Sequence, residues 1–187
     1  MTLQRLLYAL LLVVCAWTGY YLLDKYWQDD IQIEPDAEKP LFTGNAIINT
    51  SYNESGLRSY QIDSDYLEHF SKTGDTDFIE PVLWVYKNGS ETEWRISSSA
   101  ARLDKNQVLQ MNGNVRIFNL LPESAIKVIQ TDSLRLDLIN KDFDTPDQVL
   151  ITGSAFQNEG TGMKGNMERS VATLLKNVKG RYEAYQN

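Results

Sequence analysis

Residues 94–117 carry the pattern that dominates this chain, two alternating segments separated by a short polar turn. In the second segment apolar side chains occupy every other position, and polar side chains such as Asn112 and Arg116 lie between them. Successive strand side chains point to opposite faces, so this segment predicts a strand with one apolar and one hydrated face. The turn at Lys105 and Asn106 makes the stretch a β-hairpin. Gly113 within the apolar row predicts a bulge or a close approach to the backbone.

The same pattern recurs on both sides of this hairpin, at a spacing of roughly 34 to 40 residues. Two turns are well marked, one ending at Gly56 and one formed by Asn88 and Gly89. A single hairpin cannot bury its apolar face alone, whereas stacked hairpins can, and they leave a free edge strand at each end. The further predicted strands are residues 46–52, 57–66, 78–86, 126–139 and 149–156.

The last part of the chain is harder to interpret. Residues 160–165 match the dinucleotide pattern G-x-G-x-x-G, but too few residues follow Gly165 for the rest of a doubly wound sheet. We therefore interpret residues 158–162 as a flexible glycine turn. Residues 167–178 fit both a helical and a strand period, and strands are favoured because the rest of the chain is rich in strand patterns.

Residues 6–23 are uncharged and predict a transmembrane helix. As a helix this run spans about 27 Å, close to the thickness of the hydrocarbon core. A cleaved signal peptide or a lipoprotein signal at Cys15 is the alternative, but bulky residues such as Trp17 and Tyr20 follow where cleavage would occur. We therefore expect a cytoplasmic start and anchor helix at residues 1–24, a linker at residues 25–40, and an exported domain at residues 41–187.

The composition of the chain argues against several classes of function. The formal net charge of −7 argues against nucleic-acid binding. Cys15 is the only cysteine, so the exported domain has no disulfide, and His69 is the only histidine, so neither a metal site nor a Ser-His-Asp triad is expected. We predict no catalytic residues, no metal and no cofactor, although paired carboxylates of an anchored hydrolase remain a weaker alternative.

What remains is a sheet with an unusually apolar predicted inner face. This face is either an ordinary core or a surface that stays partly open and holds an acyl chain. Its predicted members are Tyr60, Ile62, Tyr66, Phe78, Val82, Trp84, Leu134 and Leu136.

Several short motifs, in order and spacing, resemble the LptC family of lipopolysaccharide export. No motif is decisive alone, but together they cover nearly the whole chain. They are Gly56-x-x-x-Tyr60, Pro81-Val82-Leu83, Trp94 leading to Gly113-x-Val115, Thr131-Asp132, Gly153-x-x-Phe156, Gly165-Asn166 and Tyr182-Glu183.

The resemblance implies a twisted, partly open β-jellyroll, of the kind found in LptA, in the periplasm behind a single inner-membrane helix. It implies that the domain takes lipopolysaccharide from the LptF/LptG subunits of an ABC transporter, driven by the LptB ATPase, and passes it to the bridge protein LptA. A structural tether that recruits a partner without carrying lipid is the alternative.

The resemblance also implies roles for particular residues. Gly56 and Gly153 are expected to be structural positions needed for assembly. The edge that pairs with the bridge protein is expected to contain Val171, Thr173, Leu175, Tyr182 and Tyr185. The groove for lipid A acyl chains is expected to contain Ile47, Ile62, Tyr66, Phe78, Val82, Leu134, Ala172 and Tyr182.

Overall fold

The computed structural model describes residues 3–27 and 39–182, and within the helix it describes the side chains of residues 4, 8 and 10–21. The chain divides into two units, Met1–Asp36 and Ala37–Asn187. The first contains one helix, α1 (Leu3–Trp27), over the predicted anchor. No helix in the described part of the chain combines the length and apolar content of a membrane span. Most of the predicted linker and Tyr185 lie outside the described residues.

The second unit is built from strands, and the predicted all-β class is confirmed. Eleven strands fall within the described residues and form one antiparallel sheet. They are β1 (Phe42–Tyr52), β2 (Arg58–Phe70), β3 (Asp75–Ile79), β4 (Val82–Lys87), β5 (Glu91–Ser97), β6 (Ala100–Leu103), β7 (Val108–Asn119), β8 (Ile126–Asp137), β9 (Asp142–Gly153), β10 (Phe156–Asn166) and β11 (Val171–Tyr182).

The sheet is folded into two layers because its long strands change partners along their length. Strand β2 pairs with β4 through its first half and with β3 through its second half. Strand β7 likewise pairs with β6 and then with β5. We call the part containing β3 and β6 the first layer, and the part containing β4 and β5 the second layer. The remaining strands continue through both layers.

A line of irregular residues marks the corner between the two layers. Glu80, Gly113 and Gly162 have φ angles of 50°, 79° and 74°. Strands β7 and β8 shift register between Asn112 and Val115, which confirms the bulge predicted at Gly113. Bulges bend a strand and increase its local twist, so a bulge at the same level of neighbouring strands bends the whole sheet.

The layers enclose a single hydrophobic core drawn from both of them. At one end they are also joined by a hydrogen bond, in which the Tyr60 hydroxyl donates to Gln107 Oε1 at 2.7 Å. Tyr60 belongs to the second layer, and Gln107 precedes β7 in the first layer. This end of the two-layered structure is therefore fastened by a side-chain contact.

Several predicted boundaries are wrong, and one ambiguous segment is resolved. The first arm of the predicted hairpin at 94–117 is two strands, β5 and β6, and the strand predicted at 149–156 begins at Asp142 and ends at Gly153. The predicted strand at 78–86 is two strands, because the chain turns the corner at Glu80 and Pro81. The predicted turn at 158–162 lies inside β10, and the chain reverses after Gly153 instead. The strand interpretation of residues 167–178 is confirmed from Val171 onward, where β11 begins.

Candidate functional site

The inner face of the second layer is an aliphatic row that crosses the middle of the sheet. Cross-strand pairing aligns its members, which are 0–5% exposed. At β10 and β11 the same row continues with Asn158 and Gly180, and at β1 it continues with Asn49. Branched side chains thus fill the centre, while small or polar residues occupy both edges. The aliphatic members are Ile62, Leu83, Ile96, Ile117, Ile129 and Ile151.

The first layer follows the same arrangement. Leu109 and Leu136 are 0% and 1% exposed, and the neighbouring Phe143 is 4% exposed. Further along the same row Phe143 is opposite Gly165, and Gly165 is opposite Ala172. A Cβ atom at Gly165 would come too close to the Phe143 ring, so glycine is required there. The row therefore ends in small residues on β10 and β11.

Strands β1 and β11 are the two ends of the sheet, and each pairs with a single strand among the described residues. On the inner side of these strands Ile47, Ala172 and Leu174 are partly buried against the core. Tyr182, opposite Phe156 at 6.3 Å between ring centroids, is 75% exposed. The apolar interior therefore reaches solvent along its edge strands.

The structure separates the predicted groove residues into three groups. Ile62, Phe78 and Leu134 lie in the packed centre and are 0%, 1% and 2% exposed. Ile47, Ala172 and Tyr182 lie on the inner side of the edge strands. The other two, Tyr66 and Val82, lie on the opposite face of the sheet.

The inclusion of Tyr66, Val82 and Trp84 in the inner face is therefore corrected. In β4 the buried residues are Leu83 and Val85, so Val82 and Trp84 point outward. The corner inverts the alternation, which the sequence pattern had continued unchanged from Phe78. Strand β2 behaves in the same way, because Ser64 and Leu67 both face inward and leave Tyr66 outside.

The outward position of Tyr66 is also evident in its bonding. Its hydroxyl donates to Glu68 Oε1 at 2.9 Å, and this bond raises the pKa of the Tyr66 phenol above its ordinary value. The same face carries the ion pair between Arg102 and Asp77, in which Nε lies 2.5 Å from Oδ1. These contacts describe a hydrated outer surface.

The two predicted structural glycines are required for different reasons. Gly56 has a φ of 74° in the turn between β1 and β2, where Asn53 Oδ1 accepts hydrogen bonds from the amides of Ser55 and Leu57. Gly153 ends β9, and a Cβ atom there would lie 2.6 Å from the Ala125 carbonyl oxygen and collide with the Phe156 ring. Gly56 thus needs a left-handed backbone, whereas Gly153 needs space.

The predicted partner-edge residues lie along β11 as far as the structure describes them. Val171 and Leu175 are 52% and 50% exposed on its outer side, together with Thr173. Their neighbours Ala172 and Leu174 face the core. Among the described residues, the edge of β11 that faces away from β10 has no paired strand, and its side chains alternate between the core and the outward face.

Two buried polar atoms lack a partner among the described residues, and the sequence predicted neither of them to be unpaired. They are Ser64 Oγ and Trp94 Nε1. The alternation around Trp94 could have placed it inside, since Ile96 and Trp94 are in phase, but its unmet hydrogen bond depends on what surrounds it. No group of three potential metal ligands occurs in the part of the chain that the structure describes.

One concave surface differs from this apolar interior in being mostly polar. A cleft of about 720 Å³ lies along the corner and includes Gln130, Asp132, Gln148 and Lys179. Its amides and charges suit water and not hydrocarbon. The inner face and the edge strands therefore form the candidate site for an apolar ligand.

The fold defines the class first. The chain is similar to LptH of Pseudomonas aeruginosa, the LptA homologous periplasmic component of a lipopolysaccharide transport device. The TM-score is 0.52 at 12% identity, over 67% of this chain and 95% of LptH. At that identity the likeness establishes a shared bent-sheet fold.

The sequence then specifies the family. The family described as "Lipopolysaccharide-assembly, LptC-related" matches residues 8–183, and the chain belongs to this LptC family. The lipopolysaccharide export system protein LptC of Haemophilus influenzae is 29% identical, over 92% of this chain and 90% of the relative. The LptC of Escherichia coli K12 is 26% identical, over 92% and 89%.

Proposed function

We propose that this chain is a non-enzymatic component of lipopolysaccharide export that holds acyl chains on the inner face of its bent sheet. The observation that carries the proposal is the apolar interior that continues to Ile47 on β1 and to Ala172 and Tyr182 on β11. Burial of hydrocarbon stabilises a complex by about 0.8 kcal/mol per CH₂ group, so a multiply acylated lipid gains much from such a surface.

The lipid enters along the edge strands in this proposal, because the centre is filled by its own side chains. Ile62, Phe78 and Leu134 are packed. On the inner side of β11, by contrast, Ala172 and Leu174 are only partly buried. The end fastened by Tyr60 and Gln107 stays closed. Acyl chains then widen the space between the layers from the free edges inward.

The location that we propose is the inner membrane, with the sheet in the periplasm. The uncharged run at residues 6–23 lies within α1 and supports an anchor, preceded by Arg5 on the cytoplasmic side. Residues 25–40 then act as a linker and residues 41–187 as the periplasmic domain. The family relationship supports a transporter of LptF, LptG and LptB as the membrane partner.

The two free edges serve different partners in this proposal. An unpaired strand edge can bind a strand of another protein through backbone hydrogen bonds. We assign β1, the strand nearer the anchor in sequence, to the transporter and β11 to the bridge protein LptA. The fold likeness to an LptA homologue supports the second pairing, because like sheets can continue one another.

A structural tether is the second candidate. The packed centre of the interior favours it, since Ile62 and Leu83 have no exposed surface. In that case the edges would bind partners while lipid passes elsewhere.

Adjacent isoleucines on β1 distinguish the two functions. Ile47 packs toward the core, whereas Ile48 is 68% exposed on the other side. A photo-crosslinking amino acid at position 47 should label lipopolysaccharide in cells, and the same amino acid at position 48 should not. At position 175 on β11 it should label LptA. Partner labelling at position 175 without lipid labelling at position 47 would favour the tether.

A further inference from the structure

The two ends of the sheet carry opposite charge. From Phe156 to Tyr182, the hairpin of β10 and β11 contains five basic and two acidic residues, although the whole chain has a formal net charge of −7. At the other end, residues 42–79, which contain β1, β2 and β3, include six acidic and two basic residues. The positive charge of the last hairpin is therefore a local feature that runs against the composition of the chain.

Lys179 and Arg181 place two of these positive charges on the outer face of β11. They flank Gly180, which continues the aliphatic row of the inner face, so their side chains point away from the interior. Tyr182, two residues beyond Gly180, returns to the inner side and is 75% exposed. Charged and apolar surface therefore lie on opposite faces of the same edge strand.

The positive charge on this face is only partly neutralised within the chain. Lys179 Nζ lies 3.2 Å from Glu159 Oε1 on β10. Arg181 is opposite the neutral Gln157, and among the described residues no carboxylate forms an ion pair with it. Strand β11 itself contains no acidic residue. A carboxylate on the free side of β11 would supply the missing counter-charge.

The face on which these cations lie favours a protein strand over a lipid headgroup. A lipid held on the inner face would lie on the other side of the strand from Lys179 and Arg181. A strand added at the free edge would instead place its outer side chains beside them, because residues opposite each other in a sheet share a face. Opposite charges at such positions stabilise strand pairing, and like charges destabilise it.

The first half of β11 completes the pattern that a partner would have to match. There the outer side chains, Val171, Thr173 and Leu175, are uncharged. The three basic residues of the strand all follow, at positions 176, 179 and 181. A strand that carries carboxylates at one end fits this edge in only one direction, since the reversed strand would place them beside Val171 and Thr173.

We propose that β11 selects its partner strand by charge, with Lys179 and Arg181 opposite carboxylates on the outer face of an acidic edge strand. This inference rests on the proposed pairing of β11 with LptA and adds the residues that make the pairing specific. The same charges set the direction and register of the added strand. They also distinguish β11 from β1, an edge strand of eleven residues without any charge.

Arg116 provides a matched control for a change of charge. It is exposed on β7, and it pairs with Ser97 of β5 on one side and with Gln130 of β8 on the other. No free edge is therefore available beside it. Arg116→Glu and Arg181→Glu change the net charge of the chain equally, but only the second change lies on an edge strand.

The test measures the dissociation constant of purified LptA for the full chain in nanodiscs of zwitterionic lipid, at low and at high ionic strength. At low ionic strength Arg181→Glu should weaken binding by about five- to thirty-fold, whereas Arg181→Lys and Arg116→Glu should bind as the unaltered chain does. At high ionic strength the loss in Arg181→Glu should shrink to about threefold or less, because salt screens exposed charges.

The outcomes separate this inference from the function beneath it. If the unaltered chain does not bind LptA, the proposed edge pairing fails. If it binds LptA and Arg181→Glu binds equally well, the pairing stands and the selection by charge is overturned. A loss of the same size at both ionic strengths also overturns it, since the effect would not be electrostatic. If Arg181→Glu lowers only the labelling of position 47 by lipopolysaccharide, the cations serve a lipid headgroup and the inference is again overturned.

Discussion

The centre and the edges of this sheet share one inner face but use it differently. In the central strands β2, β4, β5 and β7 the inner residues are large and almost completely buried, as Ile96 and Leu109 illustrate at 0% exposure. On β11 the same rows end in Ala172 and Gly180, beside partly exposed residues such as Leu174. Stability is therefore concentrated in the centre, and accessible apolar surface is concentrated at the edges.

This difference reconciles a packed core with an apolar binding surface in a chain whose single cysteine, Cys15, leaves it without an internal disulfide. A sheet that must stay folded while its edge opens cannot place both functions on the same side chains. Local stability in proteins follows local burial, and binding elements are drawn from the less stable parts. Three predictions test whether stability is concentrated in the centre of the sheet and accessible apolar surface at its edges.

The largest expected effect is on stability, through matched leucine truncations. Leu109→Ala removes a fully buried side chain from the centre and should lower the free energy of unfolding by about 2–5 kcal/mol. Leu175→Ala on β11, where the side chain is 50% exposed, should change it by about 0.5 kcal/mol or less. Urea denaturation of both variants measures the difference.

Leu174→Ala refines this comparison, because Leu174 packs partly against the core from the same strand as Leu175. The loss of unfolding free energy in Leu174→Ala should fall between the losses in Leu109→Ala and Leu175→Ala. Equal losses at positions 109 and 174 would contradict the separation of a stable centre from a less stable edge, since the edge would then contribute as much to stability as the centre.

The next prediction concerns Gly153, which lies between the two regions at the end of β9. Gly153→Arg places a Cβ atom against the Ala125 carbonyl oxygen and the Phe156 ring. Overpacking of this kind costs about 1–3 kcal/mol, and it should displace Phe156 from the inner face beside Tyr182. Melting temperature and complementation of a strain depleted of the protein measure both consequences.

Asn112→Arg is the control for the added charge and bulk, because Asn112 is exposed on the outer face of β7. Growth and melting temperature should stay near those of the unaltered protein. If both arginine variants are tolerated equally, the space that we assign to Gly153 is not required.

The sequence predicts the hairpins better than it predicts the faces. Turns with local chemistry, such as Asn88 and Gly89 with φ angles of 52° and 76°, are found where the pattern placed them. The alternation of residues 109–117 is also correct, since Leu109, Met111, Val115 and Ile117 are all buried. These features depend on residues close together in the chain.

The faces beyond the corner were not predictable in the same way. In β8 Thr131 and Leu134 both face inward, whereas in β7 Met111 and Val115 keep the same phase. Whether a corner inverts the alternation depends on how many residues the neighbouring strand contributes there. A pattern within one strand does not contain that information, which is why Tyr66 and Val82 were assigned to the wrong face.

The smallest expected effect is that of low pH on the turns in the centre and at the edges of the sheet. Two turns between central strands are capped by carboxylates. Asp104 Oδ1 accepts from the amides of Asn106 and Val108, and Asp137 Oδ1 accepts from those of Ile139 and Asn140. Turns next to the edge strands use neutral amides instead, at Asn53 and Asn166. Only the central caps change charge with pH.

Backbone hydrogen bonds lower the pKa of both Asp104 and Asp137 in the folded protein. A carboxyl group with a lowered folded pKa stabilises the protein above its unfolded pKa, and this contribution is lost as the pH falls through the folded value. Below about pH 4 the central turns should therefore loosen, while the turns at Asn53 and Asn166 should not. Amide hydrogen exchange at Val108 and Leu57, corrected for intrinsic rates, compares the two regions. Asp104→Asn should abolish the acid sensitivity at Val108. If protection at Leu57 fell in parallel with that at Val108, acid would be acting on the whole sheet and not on its central caps.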